Sequence, residues 1–340
     1  MKAAVVTQAY GLEIWDVPMP QIGDYDVLCR LEYGATCGGT DLRLMRGEHP
    51  NPVTYPGILG HESVGRVVEI GAKVKNFHCG DLVTRVGAPA GLLDGLGTIW
   101  GGFAEYGIAK DHWQMRRDGL ERSQWDRNRV NQVVPPGIDS KTAPMMITWR
   151  ETFSYARRIG VREGQRILVV GSGANALALA VHACNIGAEV WVVGSPAKEM
   201  IFRRYPIQLY FSYQDEALVE KFRAFGPKQV DMILDGVGAM DVVNKLLFCL
   251  RRYGTVGIYG WNDRGKRGID VFSAGNSILL YADGYDEEEA HGEVSAMILQ
   301  GRLRAEDWYD TAHPVALEDI AAAYQNLKQH KALKYLIQLS

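Results

Sequence analysis

Two textures divide the 340-residue chain and set its fold class: α/β, with a β-rich first part and a doubly wound parallel sheet in the second. Short β-type runs recur as far as residue 110: AAVV, DVLCRLEYGA, SVGRVVEI and DLVTRVG. Each is bounded by Gly, Pro, Asp or Asn, which predicts a barrel-like unit. Further on, QRILVVGSGANALALAVHACNIGAEVWVVGS reads as buried strand, glycine turn, helix and second strand. VDMILDGVG, the helical AMDVVNKLLFCLRRY and GTVGIYG continue that alternation, which is the pattern of a parallel sheet.

The remaining segments follow from their punctuation. Residues 111–134 are polar and tryptophan-containing and read as a long surface loop with a helical turn. SKTAPMMITWRETFSYARRIG is helix-length, with Ser140 as N-cap and Gly160 as C-cap. From about residue 290 the tail is helical and ends in the apolar strand ALKYLIQLS. The charge runs RRDGLERSQWDRNR (116–129) and YDEEEAHGE (285–293) read as solvated surface.

Composition excludes several classes. With 47% hydrophobic and 23% charged residues the chain is globular. Its 37 basic and 40 acidic residues give a net charge of −3 with no basic block, which argues against a general nucleic-acid binder. Cys29, Cys37, Cys79, Cys184 and Cys249 are scattered and odd in number, with no CxxC pair. That pattern predicts a reducing cytoplasm and no disulfide framework. No apolar run reaches membrane-spanning length, and MKAAVVTQAYGLEIW carries no signal-peptide pattern.

Two constellations carry chemistry. In VVGSGANA, Gly171 permits a tight turn, Gly173 lets backbone approach a pyrophosphate, and Ala176 fills the small-residue position of a dinucleotide fingerprint. The second strand ends at Gly194, where NAD sites carry a carboxylate for the ribose 2′-hydroxyl. Here Ser195 and Lys198 follow instead, which favours NADP, with NAD as the alternative. The second constellation is Cys37 in GATCGGTD and His61 in LGHESVG. A thiolate and an imidazole can hold zinc and leave a position open for an alcohol, although both are also ordinary buried residues.

YPGILGHESVGRVVEIGAKVKNFHCGDLV (55–83) resembles the medium-chain, zinc-dependent alcohol/polyol dehydrogenases. It matches their pattern G-H-E-x-x-G-x-V-x-x-x-G-x-x-V…G-D-x-V nearly throughout. GGFAEY (101–106) and VVPPGIDSKTAPM (133–145) follow in that family's order. The resemblance implies a GroES-like catalytic domain over 1–145, completed by 290–340, and a Rossmann domain over 146–289. It implies one catalytic zinc between them, held by Cys37 and His61, with Glu62 beside the metal or exchanging onto it. Thr40 would relay the alcohol proton, and Glu151 would complete the metal shell or face substrate or cofactor. Gly171, Ser172, Gly173, Ala174, Asn175, Ala176, Gly194, Ser195, Lys198, Tyr213, Gly236, Tyr259 and Gly260 would bind the nucleotide, with Arg203 and Arg204 nearby. It also implies a homo-oligomer, dimer or tetramer.

The chain departs from the family in three places. CGGTD has one glycine more than the usual C-G-[ST]-D, which glycine can absorb in a loop. Arg43 stands where many relatives have a proton-passing histidine. The usual third zinc ligand falls at Ile147, which cannot bind metal. No group of four cysteines lies near residues 85–110, so no structural zinc is expected. Arg43, Glu48, His49, Trp100, Trp149, Arg150 and Glu151 face the cleft by family position. They suit a hydroxyl-rich substrate such as a sugar, polyol or cyclitol. The alternatives are a zinc-free quinone or enone reductase and a nucleotide-binding homologue without catalysis.

Overall fold

In a computed structural model describing residues 1–260 and 268–340, the strand Asp26–Ala35 organises the first unit. One of its edges pairs antiparallel with Ser63–Ile70, from Val27 opposite Ile70 to Gly34 opposite Ser63. The other edge is shared. Tyr106–Lys110 pairs with Asp26 to Arg30, and Leu336–Gln338, near the end of the chain, pairs with Tyr33 to Ala35. A second sheet runs in the order Leu12–Asp16, Lys2–Val6, Gly57–Ile58 and Gly97–Thr98. Both sheets feed one buried core that includes Val5, Val27, Leu31, Ile58, Phe103 and Tyr324.

This unit is discontinuous, comprising Met1–Arg150 and Glu287–Ser340, and Glu151–Asp286 forms the second. The divisions fall at 150/151 and 286/287, a few residues from the 145/146 and 289/290 read from sequence. The second unit is a six-stranded sheet with every pairing parallel. Its order is Leu209–Ser212, Glu189–Gly194, Arg166–Val170, Val230–Asp235, Leu250–Ile258, Leu279–Tyr281. Numbered along the chain this is 3-2-1-4-5-6, so the order reverses beside Arg166–Val170, where doubly wound sheets bind ligands. Among the described residues no helix is long and apolar enough to cross a membrane.

Three local readings require correction. The helix read from Ser140 runs Met145–Arg158. Asp139 draws residues 140–142 into a turn, accepting from the Lys141 and Thr142 amides and the Thr142 hydroxyl, and Pro144 precedes the first helical turn. Residues 111–134 hold more structure than a loop. Asp111 caps His112–Arg117 by accepting from the Gln114 amide, and Arg122–Trp125 and a 3-10 turn at Asp126–Val130 follow.

The third correction concerns the run 285–293, part of which is buried, whereas 116–129 is exposed or half-exposed as read. Glu287 is buried, taking Arg85 Nε on one oxygen at 2.9 Å and Arg150 Nη2 on the other at 2.6 Å. Arg129 pairs with Glu288 at 2.5 Å. Arg150 and Trp149, expected to face a cleft, are fully buried, and Trp149 packs edge-on against Trp308 with ring centroids 5.3 Å apart. The helix Glu287–Leu299 thereby joins the first unit from its first residue.

His291 is fixed in one tautomer by this network. Arg150 can only donate, so His291 Nδ1 accepts from it at 3.3 Å while Nε2–H donates to the Val133 carbonyl at 3.0 Å. Burial, and then the Arg150 charge, push its pKa down to about 4. The unfolded chain therefore binds the extra proton first, and stability is lost as pH falls from about 6.5 towards 4, by up to about 3 kcal/mol. Urea unfolding across that range should show this slope, and His291→Gln should flatten it.

Candidate functional site

Three strand ends meet at one place. Ala35 closes its strand opposite Leu336, and the Ala35 amide donates to the Glu62 carbonyl at 2.7 Å. Cys37 follows the first strand, His61 and Glu62 precede Ser63–Ile70, and Lys334 precedes Leu336–Gln338. Antiparallel pairing thus gathers four chemically active side chains from residues far apart in sequence.

The Cys37, His61 and Glu62 ligand atoms all lie within 4.8 Å of one another, and all three residues are buried. Asp41 holds the group from behind. Its Oδ1 faces His61 Nδ1 at 3.1 Å, and its Oδ2 accepts from the Cys37 amide at 2.8 Å and the Tyr324 hydroxyl at 2.6 Å. Burial alone would depress the His61 pKa, but the Asp41 carboxylate and the Cys37 thiol outweigh it and hold the pKa well above the ordinary value. Burial and the Asp41 charge push the Tyr324 phenol far up, so it remains a donor. With Nδ1 on a carboxylate, His61 turns Nε2 towards Glu62 Oε1, 3.6 Å away. A histidine oriented this way is the usual partner of a metal.

The donor set suits zinc, with one qualification in the chain itself. Lys334 Nζ donates to both Glu62 oxygens at 2.6 Å and to the Thr36 carbonyl at 3.1 Å, and both side chains of the pair are buried. Cys37 and His61 are therefore the ready donors, and Glu62 would have to share its charge with an ammonium. Ile147, at the usual third-ligand position, is fully buried. Glu151 lies in the second unit, where its carboxylate accepts from the Tyr285 hydroxyl at 2.9 Å and the Tyr259 hydroxyl at 3.4 Å. The signal for Lys334 and Asp41 was hidden, because neither acts except through a neighbour brought from elsewhere.

The doubled glycine has a simple structural consequence. Cys37 to Asp41 forms one helical turn, the Asp41 amide donating to the Cys37 carbonyl at 3.1 Å. Gly38 and Gly39 are exposed at its outer edge and neither has a positive φ. Thr40 opens the helix Thr40–Leu44.

In the second unit Gly171 leaves Arg166–Val170 with φ +124, and a Cβ there would lie 2.4 Å from Val237. The helix Ala174–Ile186 follows directly, with nothing within 4 Å of the space a Gly173 side chain would take. That opening at a helix N-terminus is what a pyrophosphate requires. Gly236 passes close to that helix, since a Cβ there would sit 2.9 Å from the Ala176 Cβ. At Gly194 a Cβ would fall 2.3 Å from the Tyr210 hydroxyl and 2.8 Å from the Ser172 Cβ, so a side chain there would force its neighbours to shift. Tyr210 donates to the Ser195 carbonyl at 2.7 Å, and the Ser195 amide donates to Ser172 Oγ at 2.9 Å. Arg203 pairs with Glu199 at 3.0 Å, and Tyr213 is half-exposed. The Tyr259 and Gly260 amides both donate to the Asp235 carbonyl.

Fold and site together define a nicotinamide-type oxidoreductase with a GroES-like part and a Rossmann part. Residues 23–118 match the alcohol dehydrogenase GroES-like domain. L-threonine 3-dehydrogenase of Rhizobium etli (strain CIAT 652) is 38% identical over 339 residues, covering 91% of this chain and 94% of that protein. L-galactonate-5-dehydrogenase of Escherichia coli (strain K12) is 26% identical over 309 residues, covering 88% and 87%. A dehydrogenase from Sinorhizobium meliloti 1021, solved bound to NADP, shares the fold with a TM-score of 0.79 at 20% identity, covering 99% and 98%. The chain belongs to the medium-chain alcohol/polyol dehydrogenases and is an NAD(P)-dependent member of that family.

The Glu62–Lys334 pair gives a direct test. Lys334→Met leaves a buried carboxylate uncompensated and should cost about 3–5 kcal/mol, whereas Lys334→Met with Glu62→Gln should recover much of the loss. Urea unfolding of the two single variants and the double variant reads this.

Proposed function

We propose that the chain transfers hydride between NADP and a secondary alcohol or ketone of a hydroxyl-rich substrate, a sugar, polyol or cyclitol. Cys37, His61 and Glu62 would hold one catalytic zinc. The observation that carries this reading is the buried Cys37–His61–Glu62 group with His61 turned by Asp41. When bound, the metal supplies Lewis acidity towards the substrate oxygen and the nicotinamide supplies the hydride chemistry. The chain's own residues do the rest. Asp41 and Tyr324 fix the imidazole, Lys334 balances Glu62, and the Thr40 hydroxyl carries the substrate proton. Glu151 orders Tyr259 and Tyr285 within the nucleotide unit.

The closed space at Gly194, with Ser195 and Lys198 beyond it, supports NADP over NAD, as does the NADP-bound fold relative. A relative named for galactonate supports a polyhydroxylated substrate. The five cysteines are all free, which supports a reducing cytoplasm, and a homodimer or homotetramer accompanies the family reading. The zinc-free reductase is kept as a second reading for one reason: the Lys334 ammonium already engages Glu62.

Metal analysis of protein purified without chelator should return about one zinc per chain, and Cys37→Ser should lose both the zinc and at least about 100-fold in kcat with polyols. Zinc-free protein that still reduces an enone would establish the second reading. Gly194→Asp alone should impair folding without conferring NAD use. Combined with Tyr210→Ala and Ser172→Gly, which together remove the close contacts, it should shift the kcat/KM ratio towards NAD.

A further inference from the structure

Beside His61, and wholly within the first unit, lies a cavity of about 180 Å3 whose lining includes His61, Arg85, Trp100, Arg127, Asn128 and Asn131. Two of these, Arg85 (φ +59) and Trp100 (φ +64), are held in the left-handed backbone region that side chains rarely adopt. Such conformations persist where the surroundings impose them, and they cluster at ligand sites. Trp100 stands 48% exposed, its ring centroid 5.2 Å from that of His61. An indole in that position offers a flat apolar face to the carbon chain of whatever approaches His61.

The charges around the cavity do not cancel. Arg85 is fully engaged, with Nε and Nη2 on Glu287 at 2.9 and 2.7 Å and Nη1 on the His61 carbonyl at 2.9 Å. Asn131 is structural, accepting from the Lys110 amide and donating to the Thr84 and Arg85 carbonyls. Arg129 has Glu288, and Arg122 has Asp126. Arg127 is exposed and has no ion-pair partner among the described residues, and the described lining contains no carboxylate. Arg127 is thus a guanidinium without a counter-charge among the described lining residues, in the same cavity as His61. Arg127 and Asn128 also lie beyond residue 118, where the match to the shared GroES-like domain ends.

We propose that this cavity seats an anionic group on the substrate, with Arg127 as its counter-ion and Trp100 covering the adjoining carbons. The substrate is then an acidic polyol, with the charge supplied by a carboxylate or a phosphate. This inference rests on the polyol reading above.

Calorimetric titration of the full chain with D-gluconate, sorbitol and sorbitol 6-phosphate tests it. Gluconate should bind about tenfold tighter than sorbitol, a charge-assisted contact being the difference. Arg127→Gln should remove that advantage and leave sorbitol binding unchanged, and Arg127→Lys should keep part of it. If sorbitol 6-phosphate binds tighter than gluconate, and does so through Arg127, the charge belongs to a phosphate. Equal binding of gluconate and sorbitol, or a gluconate advantage that survives Arg127→Gln, overturns the proposal. Turnover separates the two readings. A chain that oxidises sorbitol with NADP but shows no gluconate preference refutes the anion site alone. One that binds gluconate through Arg127 yet turns over no polyol refutes the polyol reading alone.

Discussion

The first unit depends on one buried carboxylate. Glu287 stands where the chain returns after the 136 residues from Glu151 to Asp286, and it meets Arg85 and Arg150 at once. A buried acid with a single partner would be costly, but two guanidiniums satisfy both of its oxygens. The pairing therefore fixes where the helix Glu287–Leu299 begins and holds the start of the returning chain against the first 150 residues. Arg85 carries the constraint further, because its third nitrogen donates to the carbonyl of His61. The network that closes the discontinuous unit is thus also in contact with the residue best placed to bind metal.

Strand pairing does the rest of the positioning. Because Asp26–Ala35, Ser63–Ile70 and Leu336–Gln338 share their hydrogen-bond register at one end, the residues just outside that end must meet. Cys37, His61, Glu62 and Lys334 are those residues. Asp41 reaches the group because the loop after Cys37 is a single helical turn, and that turn takes up the extra residue of CGGTD without disturbing the carboxylate's contacts. Once Lys334 is present, Glu62 is a balanced ion rather than a free ligand, and the site has two ready donors where its motif suggested three.

The second unit combines an open turn with a closed position. The fingerprint glycines open the turn and the helix end. Tyr210, one strand away, and Ser172 close the space beside Gly194. What the structure shows there is a position occupied by a neighbouring hydroxyl.

The sequence alone determined the α/β class, the parallel second half and the family, because periodicity, glycine turns and the GHE run are local signals. It also marked Cys37, His61 and the fingerprint by residue type. It misplaced the start of the 145–158 helix, since Asp139 competes for the backbone groups that Ser140 was expected to cap. The run 285–293 looked solvated, but Glu287 is buried and Glu288 pairs with Arg129, and Trp149 and Arg150 looked cleft-facing and were found in the core. Charge and polarity in a sequence do not reveal which partner will arrive from 137 or 202 residues away. Asp41 and Lys334 gain their meaning only from such partners. Their roles were decided by the tertiary structure, because burial and pairing are properties of the folded chain.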